Sequence, residues 1–246
     1  MKYAWKPDVP DYRDRLYKAP VVTLPKSVSR IGLGNPIEDQ GNLGSCTGNS
    51  STSALEIVLG KTCPQLSRLM AYYNARVIDK TVGSDDGAYI RSVIKGLVQN
   101  SVSTEALWPY VPSKFKVRPY SDALADALKR WNQTKQTLEY VRLSTLKDVK
   151  TALATRNPVV FGFMVPESFE NLPKSALLRL PSKGEESLGG HAVMACGYSD
   201  TATDPYIWVR NSWGPDWGLQ GYFKMTQDWF TDSRRLVDDM WVIRKV

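Results

Sequence analysis

Residues 209–225 read VRNSWGPDWGLQGYFKM, and this stretch decides the fold. Its apolar start, Val209-Arg210, ends a strand that begins near Tyr206. Its end, from Gly221 to Met225, begins another, and the glycines between them mark turns. Asn211 stands where the first strand stops. An Asn side chain there can accept an imidazole N–H and fix its tautomer, the part Asp plays in a Ser-His-Asp triad. Trp213 is placed to shield such a bond from water.

An imidazole is available upstream. Gly189-Gly190-His191-Ala192-Val193 puts a glycine pair before the one His of the chain, at the entry to an apolar strand. Glycines there leave room for a ligand beside the ring. The partner for that base lies further upstream, in Gln40-Gly41-Asn42-Leu43-Gly44-Ser45-Cys46. This loop delivers Cys46 to the start of a helix, where unpaired amides favour a thiolate. Gln40 is set to aim its side-chain amide at the oxygen of an attacked carbonyl, beside the Cys46 N–H.

The rest of the chain supports two unlike halves. Helical spacing marks the run after Cys46 to Gly60, RLMAYYNARVI behind a Ser67 cap, AYIRSVIKGLVQN, and DALADALKRW behind Ser121. TLKDVKTALATRN is a last helix, stopped before Pro158. VVFGFMV, HAVMACGYS, YIWVRNSW, GYFKM and MWVIRKV follow as strands. Helices first and strands second predict an α+β fold. Pro7, Pro10 and Pro20 make residues 1–22 an extended arm, with Trp5, Tyr12 and Tyr17 as anchors.

Composition closes off other chemistries. Three cysteines give no disulfide framework and no C-x-x-C pair, which fits a reducing compartment. A single His excludes HExxH zinc peptidases and His-rich metal sites. No apolar run is long enough to span a membrane. No secretory h-region opens the chain, so a cytoplasmic location is expected. The net charge is +7, and residues 112–156 carry ten Lys/Arg against four acids. That segment reads as a solvated helical surface, because its bases do not interleave with aromatics as a nucleic-acid groove requires.

Together these motifs resemble the papain family of cysteine peptidases. The order Gln…Cys…His…Asn is similar, as are GSC at a helix start, HAV entering a strand, and NSWGPDWGLQGYFKM. Leu24-Pro25 resembles the start of the mature family domain, and Trp108-Pro109-Tyr110 a turn in its middle. The resemblance implies a helical left lobe over about 24–120 and an antiparallel β-barrel-like right lobe over about 121–246, with the active-site cleft between them. Residues 1–23 form the arm, far shorter than the family's propeptide. It implies a thiol endopeptidase needing no cofactor and no metal, with Cys46, His191, Asn211 and Gln40 as catalytic residues and a peptide or protein as substrate. Gly87 would hold the substrate backbone two residues before the scissile bond. Ala88, Tyr89, Gly190 and Trp213 would line its binding cleft. Three positions depart from the family pattern: Leu43 replaces a Cys, Thr47 a Trp, and Gly190 an Asp common in relatives. Two other readings share these residues. One is a peptide ligase or amidase on the same fold. The other is a binding protein that uses the 112–156 segment.

Overall fold

A computed structural model describes residues 3–246. Five helices are present among them: α1 (Cys46–Leu59), α2 (Arg68–Ile78), α3 (Ile90–Asn100), α4 (Ser121–Thr134) and α5 (Leu146–Ala154). Ten strands accompany them. The short ones are β1 (Trp5–Lys6), β2 (Ser27–Ser29), β3 (Ala88–Tyr89) and β6 (Leu177–Leu178). The longer ones are β4 (Leu138–Arg142), β5 (Val159–Pro166), β7 (Ser187–Ser199), β8 (Tyr206–Arg210), β9 (Tyr222–Thr226) and β10 (Val237–Lys245).

The helix α1 is central, and its sequence explains how. CTGNSSTSALEIVL is rich in small residues, and everything from Cys46 to Glu56 is buried. Small side chains let neighbours approach closely: a Cβ on Gly48 would lie 2.9 Å from the Arg68 carbonyl oxygen of α2. Buried hydroxyls need partners. Ser50 and Thr52 find them by donating back to the Cys46 and Gly48 carbonyls, each at 2.9 Å. Helix starts differ from expectation in two places. Ala88 and Tyr89, expected to open α3, pair with the arm as β3, so α3 starts at Ile90. Ser121 is the first residue of α4 and caps nothing, because Tyr120 takes the cap position. Thr145 instead closes a full capping box with Asp148 at the start of α5. α4 packs on α3 and so stands with the helices.

The main sheet runs β4-β10-β5-β7-β8-β9-β6, with β2 added on β7. Its pairings are antiparallel except β6 with β9. Strand β4, LEYVR, has weak alternation and is placed by its pairing to β10. The alternation of side chains along a strand divides the core in two. Ala192, Met194 and Cys196 of β7 join the helices, whereas Val193 and Ala195 face the barrel interior with Phe161, Phe163 and Trp229. All three cysteines are free thiols. Among the described residues, no helix is long and apolar enough to cross a membrane.

The arm is extended, as its prolines require, but it is not loose. Trp5 and Lys6 pair in parallel with Ala88 and Tyr89. Further on, Tyr17 N–H donates to the Arg142 carbonyl at 2.7 Å and Arg142 N–H to the Arg15 carbonyl at 2.8 Å.

Candidate active site

Cys46 is the first residue of α1, with no side-chain cap before it. The loop that precedes it is tied on both flanks. Gln40 N–H donates to the Ser212 carbonyl at 2.9 Å, which fastens the loop to the end of β8. The Ser212 hydroxyl donates to Gln40 Oε1 at 2.7 Å, and Gln40 Nε2 donates to the Leu43 carbonyl at 3.1 Å. These two bonds orient the amide with its nitrogen toward the Cys46 loop. Tyr110 donates to the Gln40 carbonyl at 2.9 Å and shares a 2.5 Å bond with the Ser45 hydroxyl. The Trp108-Pro109-Tyr110 turn thus braces the nucleophile loop from behind.

His191 lies on β7 opposite Phe163. Its Nε2 is 2.8 Å from Asn211 Oδ1, and the Ser212 amide donates to that same oxygen at 2.8 Å. The Asn211 oxygen therefore faces the ring as an acceptor, which places the imidazole proton on Nε2. Nδ1 is buried and has no hydrogen-bond partner among the described residues. Trp213 covers the ring, with centroids 5.2 Å apart, and is itself packed on Phe169 at 5.0 Å. The Cys46 thiol is in hydrogen-bond reach of the Ala192 backbone, next after His191 in the chain. A thiol that meets the open nitrogen of an imidazole can pass its proton across and become a nucleophile.

Sequence reasoning expected a depressed thiol pKa, and burial reverses that. Cys46 is fully buried. Desolvation pushes its thiol up to about 11, although the backbone groups of Ala192, Ala4 and Thr47 favour the thiolate. The same burial pulls His191 down to about 4, against the Asn211 bond. Both groups are neutral across the range between.

The arm supplies much of that burial. Tyr3 lies edge-on to His191, with centroids 6.4 Å apart, and 6.0 Å from Trp213. The backbone at Ala4 runs against Gly87, where any Cβ would collide with the Ala4 carbonyl. Trp5 follows into the cleft beside Ala88 and Gly190. Gly87, Ala88, Tyr89, Gly190 and Trp213 all meet the arm or border it, so the residues expected to bind substrate gather on one surface. Tyr72 secures their geometry. Its hydroxyl donates to Asp85 at 2.6 Å and accepts from Gly87 N–H at 3.2 Å, while Asp85 accepts from Gly44 N–H at 3.0 Å.

The arm is also anchored to both sides of the cleft. Asp14 takes a bidentate pair from Arg91 of α3, at 2.8 and 2.6 Å, and a 3.3 Å bond from Arg142 of β4. Asp8 accepts from the Trp241 indole at 2.8 Å. Sequence reasoning found neither these anchors nor Asp239, buried on β10, whose Oδ2 accepts from the Trp5 indole at 3.2 Å and the Asp8 amide at 2.6 Å. Among the described residues, no three His, Cys, Asp or Glu are gathered to hold a metal ion.

The model for the "papain family cysteine protease" family matches residues 26–235. An uncharacterized peptidase C1-like protein of Acanthamoeba polyphaga mimivirus is 36% identical over 241 residues, covering 92% of this chain and 73% of that one. Thiol protease aleurain of Arabidopsis thaliana is 32% identical over 79% of this chain, which spans 53% of its length. Among solved structures, xylellain, a cysteine protease from Xylella fastidiosa, superposes with a TM-score of 0.89 at 33% identity, covering 99% of this chain and 96% of that one. The bromelain protease of Ananas comosus, solved with the E64 inhibitor, shares the fold at 20% identity and a TM-score of 0.66.

Proposed function

The chain belongs to the papain family of cysteine proteases, and from that premise we propose that it is an endopeptidase acting through Cys46, His191, Asn211 and Gln40, held latent by its N-terminal arm. The observation that carries the catalytic reading is the 2.8 Å Asn211–His191 bond, with the opposite ring nitrogen left unpaired among the described residues. In the working cycle the Cys46 thiolate attacks a peptide carbonyl. Gln40 Nε2 and the Cys46 N–H stabilise the oxyanion. The His191 imidazolium protonates the leaving amine, and its neutral form then deprotonates the water that hydrolyses the thioester. Asn211 holds the ring through each transfer. Hydrolysed products, identified by mass, distinguish this from a ligase, which joins the acyl group to a second amine.

The arm reading rests on its course. It occupies the strip beside Gly87 and Ala88 and covers His191, so a peptide cannot reach the thiol until it lifts. With the arm docked, the thiol near 11 and the imidazole near 4 give no ion pair at neutral pH. Lifting the arm rehydrates both. The thiol then falls and the imidazole rises, until the proton transfers and the pair is charged.

The pH profile follows from that sign. kcat/KM of the arm-released enzyme is a bell whose two apparent pKa values belong to the coupled pair. Its acid limb is loss of the thiolate and its alkaline limb is loss of the imidazolium. With one His in the chain, His191→Ala removes the alkaline limb from whatever activity remains. An unchanged alkaline limb in that variant contradicts the assignment.

Gln40→Ala lowers kcat by about 10²–10³, the usual cost of one oxyanion donor. KM changes little, since the charge it meets exists only in the transition state. A change confined to KM would make Gln40 a ground-state binding residue instead.

A further inference from the structure

A series of hydrogen bonds joins the nucleophile loop to the strip that begins at Gly87. It starts from the loop after α2, which Arg76 holds from within. That side chain is fully buried and stacks on the Tyr72 ring, 4.0 Å from its centroid. Its guanidinium donates to the Val82 and Ser84 carbonyls, at 3.1 Å each, and to the Phe115 carbonyl. A rigid fork bonded to three carbonyls fixes where the loop points. Asp85, next in the chain, is turned to Gly44, whose N–H donates to Oδ1 at 3.0 Å and to Oδ2 at 3.2 Å. The Tyr72 hydroxyl donates to Oδ1 at 2.6 Å and accepts from Gly87 N–H at 3.2 Å. The fit is close: a Cβ on Gly44 would lie 3.0 Å from Asp85 Oδ1. All three cysteines are free, so no disulfide holds this loop in place of these bonds.

We propose that Asp85 is a positioning residue: through Tyr72 it sets the spacing between the Cys46 loop and Gly87, so that a peptide held at Gly87 presents its carbonyl to the oxyanion donors. The inference rests on the peptidase reading above and on the part assigned to Gly87. Gly44 stands two residues before Cys46, whose N–H is one of those donors. The bonding pattern demands a carboxylate. Gly87 gives its proton to the Tyr72 oxygen, so the Tyr72 proton goes to Asp85, and Gly44 also donates there. A group that only accepts suits both partners. Asn at this position would turn an N–H onto another donor. Phe in place of Tyr72 keeps the ring against Arg76 and loses only the hydroxyl. The links stand in series, so breaking any one of them lets the two walls move apart. Binding at Gly87 raises kcat only while the spacing is fixed, because the reacting carbonyl must arrive aligned. A substrate too short to reach Gly87 gains nothing from that spacing.

The test uses the full-length Trp5→Ala chain, with active sites counted by an epoxide inhibitor. Two coumarylamides are compared, one carrying a single amino acid and one a tripeptide that ends in the same residue. The tripeptide has the higher kcat. Asp85→Asn and Tyr72→Phe each lower the tripeptide-to-single ratio of kcat by about tenfold. The double variant lowers it no further than either single one, since the links are in series. In the chain that keeps Trp5, Cys46 is labelled by a peptidyl epoxide and, separately, by iodoacetamide, which makes no use of Gly87. The epoxide-to-iodoacetamide ratio of rates falls in both variants, so the test does not depend on Trp5→Ala. An equal fall for both substrates, a kcat ratio untouched by either variant, or losses that multiply in the double variant overturns the proposal and leaves the peptidase reading intact. No turnover of any substrate, with no label on Cys46, overturns the peptidase reading and this proposal with it.

Discussion

Cys46→Ala abolishes peptide hydrolysis, with a loss of about 10⁶-fold, the scale reached when a nucleophile is removed from a catalytic unit. No other thiol can stand in. Cys196 lies on β7 on the face that joins the helices, and burial pushes it up to about 12. Cys63 is half-buried, its pKa is raised to about 11, and its thiol is turned to the Pro64 carbonyl. Neither has an imidazole beside it, since the chain has a single His. The substitution leaves a small void at the start of α1, so the folded state persists and its melting curve shows this. Hydrolysis at the parent rate by the Ala variant would remove Cys46 from the mechanism.

Trp5→Ala in the full-length chain raises kcat/KM toward a small peptide by roughly 10²–10³. Removing a buried indole costs the docked state about 3–5 kcal/mol, and each 1.4 kcal/mol is tenfold in an equilibrium. The cleft-competent fraction of the chain rises accordingly, until it approaches one and the gain saturates. The arm also links the helical side to the sheet through Asp14, which meets both Arg91 and Arg142. Blocking and bracing are thus properties of one segment. The variant therefore melts lower while working faster at low substrate. Unchanged kinetics with a lower melting temperature would make the arm a brace alone.

Much of this architecture was legible in the sequence. The Gly60 stop of α1, the Ser67 cap of α2 and the five apolar strands leave strong local marks, because caps and periodicity are local chemistry. Cys46, His191, Asn211 and Gln40 stood out for the same reason, each in a short stretch with its own turn or helix start. What escaped was set by long-range contact. β1 has two residues and no periodicity, and only Ala88 and Tyr89 define it. Asp239 borders MWVIRKV, an ordinary strand, and nothing nearby announces that its carboxylate meets Trp5, 234 residues away in the chain. The depressed thiol pKa expected from a helix start was reversed by burial under the arm, which no local pattern encodes.

The most direct measurement is labelling with a peptidyl epoxide probe of cysteine peptidases, followed by peptide mapping, on the full-length chain and on Trp5→Ala. The account predicts one adduct, on Cys46, forming slowly in the parent chain and much faster in the variant. An adduct forming on Cys63 or Cys196 at a comparable rate, or a Trp5→Ala chain whose Cys46 stays unlabelled, would contradict it.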